Sequence, residues 1–348
     1  MQHMMDGKLL EVRHPDQHYR TLFDQRTGFF VRKEEPGWPE PTWAKDGPEL
    51  IDLSITSYCQ RRCSFCYRRA NDTIFTHLDT TDIRHVVEQA AKCGTLQIAL
   101  GGGNPNQHPD FVEILRLIRE HDIVPTYTSN GDGLTGMVLK ATAKYCGAMA
   151  ISVYPPFSEV HYNNLIETIE SYGIKVNLHA IIRNDYLELW TKWLYEPPAF
   201  MRKVNAIIFL NYKPIATGDE SLLPKEMGVV ERFFYAANKC KSIKVGFDSC
   251  SISGITRWMD VPNVLIESCE AARFSAFISE DMKMYPCSFM IKKGYCGDLR
   301  EQSLLNIWQN NEYFHMFRSE AVPTRCNKCS KYEICKGGCH LYPTINFC

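Results

Sequence analysis

The sequence predicts an α/β fold: six strand–helix units forming an open or partial parallel barrel, followed by a cysteine-rich C-terminal region. Three observations predict it. Short apolar runs recur between residues 50 and 212, separated by amphipathic stretches of helical period. The chain of 348 residues carries 15 cysteines, three within Cys59–Cys66 and nine within Cys250–Cys348. Beyond about residue 240 the alternation fades and turn signals dominate.

Taken in order, residues 1–47 form an expected N-terminal hairpin-like extension. Short strands there flank the turn signals Pro15-Asp16 and Thr27-Gly28. The barrel is expected over 48–240. Its strands are LIDLSI (50–55), LQIAL (96–100), IVPTYT (123–128), AMAISV (148–153), KVNLHAII (175–182) and VNAIIFLNY (204–212). TTDIRHVVEQAAKCG and HPDFVEILRLIREH read as helices, the first with a Thr/Asp start and a stop at Gly94. Alternating units of this kind give parallel strands with crossover helices, and ligands belong at the C-terminal strand ends. The region 241–348 is expected to depend on metal centres for stability, with one helical stretch, SLLNIWQNNEYFHMFRS.

Charge excludes some classes. Lys+Arg (39) nearly balance Asp+Glu (40), so nothing global asks for nucleic acid or an anionic membrane. No run approaches the roughly 20 apolar residues of a membrane span. The N-terminus has no continuous apolar secretory core, and a cytoplasmic location is expected. In a reducing compartment this many thiols point to metal or cluster ligation rather than disulfides. Cys93 and Cys146, near helix ends, read instead as buried thiols.

Cys59-Gln-Arg-Arg-Cys63-Ser-Phe-Cys66 directly follows the first strand. Three thiolates in eight residues can hold three corners of a cubane, with no fourth local cysteine. One iron then keeps open coordination, which catalysis needs and pure electron transfer does not. The alternative is structural zinc, which ordinarily takes four protein ligands from paired C-x2-C units.

C-x3-C-x-aromatic-C on Cys59, Cys63, Phe65 and Cys66 resembles the signature of the radical S-adenosylmethionine (SAM) enzymes. That resemblance implies a partial (β/α)6 TIM-like barrel, a [4Fe–4S] cluster on the three cysteines, and one-electron cleavage of SAM to a 5′-deoxyadenosyl radical. Gly101-Gly102-Gly103-Asn104-Pro105 is similar to the family's Gly-Gly-Glu-Pro turn for the methionine amino group, with Asn104 replacing the acid. Thr128-Ser129-Asn130-Gly131 looks like its Thr-Asn-Gly turn. Ser152 stands where the family places a ribose-binding residue, and His179 on the fifth strand is a further candidate cofactor contact. The bland readings are ordinary βα turns and a packed core histidine.

The tail spacing Cys326-x2-Cys329-x5-Cys335-x3-Cys339, ending at Cys348, resembles the SPASM extension. Asp281–Cys287 and Leu304, Ile307 and Trp308 are similar to it as well. The resemblance implies two auxiliary [4Fe–4S] clusters, making three with the first. One would use Cys250, Cys269, Cys287 and Cys339, with Cys240 or Cys296 as substitutes for Cys250. The other would use Cys326, Cys329, Cys335 and Cys348. Two all-thiolate zinc sites are the alternative.

SPASM enzymes of this family mostly act on ribosomally made peptides or proteins. The leading expectation is therefore an oxidative peptide maturase that crosslinks or dehydrogenates its substrate. It would draw electrons from a flavodoxin or ferredoxin, with leader recognition absent or supplied by a separate protein. A second reading is peptide epimerisation, with Cys296 or Cys240 returning a hydrogen atom. A third is a non-catalytic iron–sulfur or zinc protein that relays electrons or scaffolds a complex. Tyr154, Lys213 and Asp248, near strand ends or the domain junction, and Cys296 are the candidate catalytic residues.

Overall fold

Residues 8–348, except 147, 216, 217, 295, 320 and 321, are described by a computed structural model. Leu9–His14 (β1), Tyr19–Asp24 (β2) and Phe30–Glu34 (β3) pair antiparallel in chain order. Arg32 fastens this small sheet to the rest. Its Nε donates to Glu49 Oε2 at 2.6 Å, its Nη2 donates to Glu270, and its guanidinium lies 3.7 Å from the Phe274 ring centroid.

Six parallel strands follow: Leu50–Thr56 (β4), Gln97–Gly102 (β5), Val124–Ser129 (β6), Met149–Val153 (β7), Val176–Ile182 (β8) and Ala206–Asn211 (β9). The helices after them are Thr80–Lys92 (α1), Phe111–Glu120 (α2), Gly136–Tyr145 (α3), Glu159–Glu170 (α4), Leu187–Tyr195 (α5) and Met227–Lys239 (α6). Neighbouring strands pair in sequence order, as β–α alternation requires. Helix ends obey local chemistry. Asp79 accepts from the Asp82 N–H at 2.8 Å to start α1, and Gly94, with φ +73°, turns the chain just beyond it.

Period two along the strands separates the core from the lumen. Ile51, Leu53 and Ile55 of β4 are fully buried in the same cluster as Ile83, Val86 and Val87 of α1. Each such side chain contributes roughly 1.5–3 kcal/mol by leaving water. The alternate residue Asp52 opens onto a cavity inside the barrel, as do His179 and Ile181 of β8. A parallel strand packed on both faces would read as continuously apolar. Polar residues interrupt these strands where they face the lumen.

The sheet continues beyond residue 240. Lys244–Phe247 (β10) pairs parallel with β9, and Ser275–Ile278 (β11) pairs parallel with β4 on the other side. Lys283–Tyr285 (β12) and Gly297–Asp298 (β13) then add antiparallel, giving ten strands among the described residues. The stretch 303–319 is not one helix. It forms Leu304–Asn310 and Glu312–Arg318, because Asn311 breaks the first and caps the second, accepting from the Tyr313 N–H at 3.0 Å. Trp308, fully buried, donates its Nε1 to Ala44 O at 2.6 Å and so ties the C-terminal region to the segment before β4. No helix among the described residues is long and apolar enough to cross a membrane.

Candidate active site

At the end of β4 the backbone leaves the sheet and carries Cys59, Cys63 and Cys66 over the C-terminal strand ends. The Cys59 N–H donates to Asn71 O at 3.3 Å and the Cys66 N–H to Cys63 O at 3.1 Å, holding the loop back on itself. All three cysteines line one cavity of about 480 Å³. Burial pushes the Cys59 thiol up. Charges on Cys63 and Cys66 push in the same direction, while the Arg61 N–H opposes them. The three sulfurs therefore share one electrostatic neighbourhood.

The glycine run does two jobs. A Cβ on Gly102, whose φ is +110°, would meet Thr56 O at 2.1 Å, and one on Gly103 would meet Tyr58 O at 1.9 Å. These two glycines let the end of β5 pack beneath the cysteine loop, where the Gly103 N–H donates to Thr56 O at 2.6 Å. Gly101 is different: a Cβ there meets nothing within 4 Å and would project toward open space. Three soft thiolates beside an open glycine face fit an iron–sulfur cluster together with an organic ligand.

The structure brings most of the expected cofactor residues to this cavity. Gly101, Gly102, Gly103, Asn104, Asn130, Ser152 and His179 line it. Asn104 is buried and turned toward the β6 loop: its Oδ1 accepts from the Asn130 N–H at 3.2 Å and its Nδ2 donates to Asp132 O at 2.9 Å. Pro105 is buried in a 3-10 turn, and Ser129 is buried with its Oγ accepting from the Gly131 N–H at 3.0 Å. Both stand behind the cavity wall.

His179 lies 3.1 Å from Thr128 Oγ1, and burial pulls its imidazole down to about 4, with Asp248 opposing. The unfolded chain, with an ordinary histidine near 6.5, binds the extra proton first. Stability from this residue is therefore complete above about 6.5 and lost as pH falls toward 4. Urea unfolding between these limits should show wild-type stability rising with pH, with a shallower rise in His179→Asn. Equal slopes would contradict the buried neutral ring.

Of the candidate catalytic residues, Tyr154, Lys213 and Asp248 line the cavity. Lys213 Nζ donates to Asp248 Oδ2 at 3.1 Å and to Asn211 O at 3.0 Å, and lies 4.3 Å from the Phe289 ring centroid. Burial pulls the ammonium down, but Asp248, Cys250 and Cys339 outweigh it and hold it charged. The ion pair with Asp248 favours the charged form of Lys213. Tyr154 packs edge-on against Phe65, with centroids 5.0 Å apart, and burial pushes its phenol up. Cys296 stands elsewhere: its Sγ lies 3.8 Å from Gly294 O, beside Tyr285.

Sequence reasoning read Arg61 only as one of the basic residues flanking the cysteine loop, and missed Asp132 and Asp52. Arg61 clamps Asp132 through two hydrogen bonds of 2.7 and 2.9 Å. Asp52 is pushed up to about 6 by burial and by the charge of Glu270. The signal for Asp52 was available: an acid inside an apolar strand faces a lumen or an ion.

Eight of the remaining thiols fall into two groups. The Cys250 and Cys339 side chains hydrogen-bond, and Cys250 acts on both Cys269 and Cys287. Burial pushes Cys269 up to about 12. β10 explains the position of Cys250, because the Asp248 N–H donates to Phe209 O at 3.0 Å and so carries the following residues to the top of β9. Cys240 lies apart, its Sγ 3.6 Å from Ser242 Oγ at the end of α6. In the second group, burial pushes Cys335 up while the Gly337 and Gly338 N–H groups oppose it, and Cys348 and Cys326 act on it. The Cys329 N–H donates to Cys326 O at 3.0 Å.

Comparison with known proteins agrees with this geometry. Residues 53–179 match the radical SAM superfamily, and residues 269–336 match SPASM, an iron–sulfur cluster-binding domain. The chain is 22% identical over 325 residues to an AdoMet-dependent heme synthase of Methanosarcina barkeri, covering 84% of this chain and 91% of that protein. It is 20% identical over 316 residues to the mycofactocin maturase MftC of Mycobacterium tuberculosis, covering 84% and 78%. Among solved structures it is similar to Streptococcus suis SuiB bound to the precursor peptide SuiA, with TM-score 0.69, 18% identity and coverage of 85% and 72%. It is also similar to anSMEcpe with bound AdoMet, with TM-score 0.64, 16% identity and coverage of 85% and 91%. The cysteine loop at the barrel mouth, the parallel sheet beneath it and the two matched regions together place this chain in the radical SAM superfamily as an enzyme with a C-terminal SPASM domain.

Proposed function

We propose that the enzyme carries out an oxidative modification, a crosslink or a dehydrogenation, of a ribosomal peptide or protein. It would use three [4Fe–4S] clusters, the first on Cys59, Cys63 and Cys66. The others would be held by Cys250, Cys269, Cys287 and Cys339, and by Cys326, Cys329, Cys335 and Cys348. The division into an extension over 1–47, a barrel over 48–240 and an auxiliary region over 241–348 belongs to the same proposal. Bound together, the first cluster and SAM supply one-electron cleavage of the sulfonium and a 5′-deoxyadenosyl radical able to take a substrate hydrogen.

One observation carries the oxidative reading. Lys213 and Asp248 line the cavity, and Lys213 also feels the charges of Cys250 and Cys339. The first auxiliary group therefore stands directly behind the cavity wall, where an electron leaving a substrate can be received. Full thiolate ligation suits electron transfer there. No three or more His, Cys, Asp or Glu side chains among the described residues converge on one metal-ion position. A cubane spreads its ligands over separate irons and asks for wider spacing than a single ion does.

The chain's own residues do the rest. Phe65, Tyr67, Phe277 and Phe289 give the cavity apolar walls, and Asp52, Lys213 and Asp248 supply polar groups for orienting a substrate. The peptide reading is supported by relatives described as a mycofactocin maturase and as SuiB with a precursor peptide. The heme synthase relative favours a second reading, a tetrapyrrole substrate. A flavodoxin or ferredoxin would donate electrons, and a separate leader-binding protein would present the peptide.

Anaerobic incubation with reductant, SAM and a peptide encoded beside the gene should give 5′-deoxyadenosine and a peptide lighter by two hydrogens. No loss of mass in H2O, together with deuterium gained at an α-carbon in D2O, would instead show epimerisation. Turnover of a tetrapyrrole but no peptide would favour the second reading.

A further inference from the structure

Two side chains aim polar hydrogens at two of the three cluster cysteines, and a closed circuit of hydrogen bonds fixes the polarity of both. Tyr154 Oη lies 3.4 Å from Cys63 Sγ and accepts from Arg61 Nη1 at 3.1 Å. A guanidinium can only donate, and a ligating thiolate can only accept. The single phenolic proton is therefore left to point at Cys63.

The other half of the circuit obeys the same rule. Asn130 Nδ2 lies 3.6 Å from Cys59 Sγ, and Asn130 Oδ1 accepts from the Asp132 N–H at 2.8 Å. That backbone donor fixes which end of the amide faces the sulfur. Asp132 closes the circuit: its carboxylate is held by Arg61 Nε and Nη2 at 2.7 and 2.9 Å, and its carbonyl accepts from Asn104 Nδ2 at 2.9 Å and Asn106 Nδ2 at 2.7 Å. Arg61 and Asp132 come from different loops, each with its side chain 31% exposed, so the pair clamps the cysteine loop to the turn after β6.

We propose that Tyr154 and Asn130 are positioning residues that donate hydrogen bonds to the thiolates of Cys63 and Cys59, raise the reduction potential of the cluster held there, and are oriented for that purpose by the Arg61–Asp132 pair. Donors to cluster sulfur withdraw electron density and stabilise the reduced state. The inference rests on the assignment of the first cluster to Cys59, Cys63 and Cys66.

The test uses full-length protein, anaerobically reconstituted, in a potentiometric titration. The signal followed is the reduced-cluster paramagnetic resonance that changes when SAM is added. In Tyr154→Phe the midpoint should move to lower potential, leaving a smaller fraction reduced at a given poise. Asn130→Ala should do the same. An unmoved midpoint in either variant that keeps its iron overturns the proposal, since a merely structural residue would leave the potential alone. Wild-type protein supplies an arm that needs no variant. After exchange into D2O, electron–nuclear double resonance should show an exchangeable deuteron coupled to this signal beyond those of backbone N–H groups, and its absence overturns the proposal. A protein with no SAM-responsive cluster would refute the cluster assignment itself. A responsive cluster with an unmoved midpoint refutes only this inference.

Discussion

Replacing Cys59, Cys63 and Cys66 together with alanine is expected to remove about four irons per chain, the content of one cubane, and to bring 5′-deoxyadenosine formation below detection. The irons that remain should be those of the proposed auxiliary groups, because the two sets of proposed ligands are separate. Cys250, Cys269, Cys287 and Cys339 act on one another, Cys335 is acted on by Cys326 and Cys348, and the first three cysteines line a different wall. The loop itself is held by backbone bonds that the substitution leaves in place, such as Cys59 N–H to Asn71 O and Asn71 N–H to Ser57 O. Iron and sulfide analysis beside product detection checks the expectation. Full loss of iron, or product at the wild-type level, would contradict it.

The second large effect is expected at Gly103. Its alanine Cβ would stand 1.9 Å from Tyr58 O and 2.5 Å from Tyr58 C, both backbone atoms one residue before Cys59. Backbone cannot rotate away as a side-chain tip can, so either β5 or the cysteine loop must move. Gly103→Ala should cost about 3 kcal/mol or more and lower occupancy of the first cluster. Gly101→Ala is the control: its Cβ meets nothing within 4 Å, so stability should hold while the open face of the cavity narrows. Denaturant unfolding of the two variants, with iron content on each, separates the roles. Equal stability in both would show that the close approach of β5 to the loop is unimportant.

Much of the fold was legible because buried parallel strands leave apolar runs. The run at 96–100 became Gln97–Gly102 and that at 175–182 became Val176–Ile182. What escaped were elements with little pattern of their own. β10 and β11 are four residues each and are recruited by neighbours, through Val245 beside Ile207 and Phe277 beside Asp52. The split at Asn311 escaped because apolar spacing persists through a break that one capping side chain makes.

At the site, local motifs were readable and long-range pairings were not. The cysteine triplet, the glycine turn and Asn130 announce themselves by spacing. Arg61 and Asp132 lie 71 residues apart in the chain, and Arg61 and Tyr154 lie 93 apart, so only the barrel brings them together. Asn104 shows the limit most clearly. The sequence marks it as a substitution for an acid, whereas the structure turns its amide to bridge two strand-end loops. Motif position put Cys250 ahead of Cys240, and the structure sets Cys250 beside Cys339 while Cys240 lies apart at the end of α6.

The central claim is that the cluster on Cys59, Cys63 and Cys66 leaves one iron to SAM. Electron–nuclear double resonance of the reduced holoenzyme with SAM carrying a 15N-labelled methionine amino group tests it most directly. A 15N coupling to the cluster, lost in the triple-alanine protein, is the predicted result. A cluster signal with no such coupling, whose fourth iron is held by a protein side chain, would contradict it.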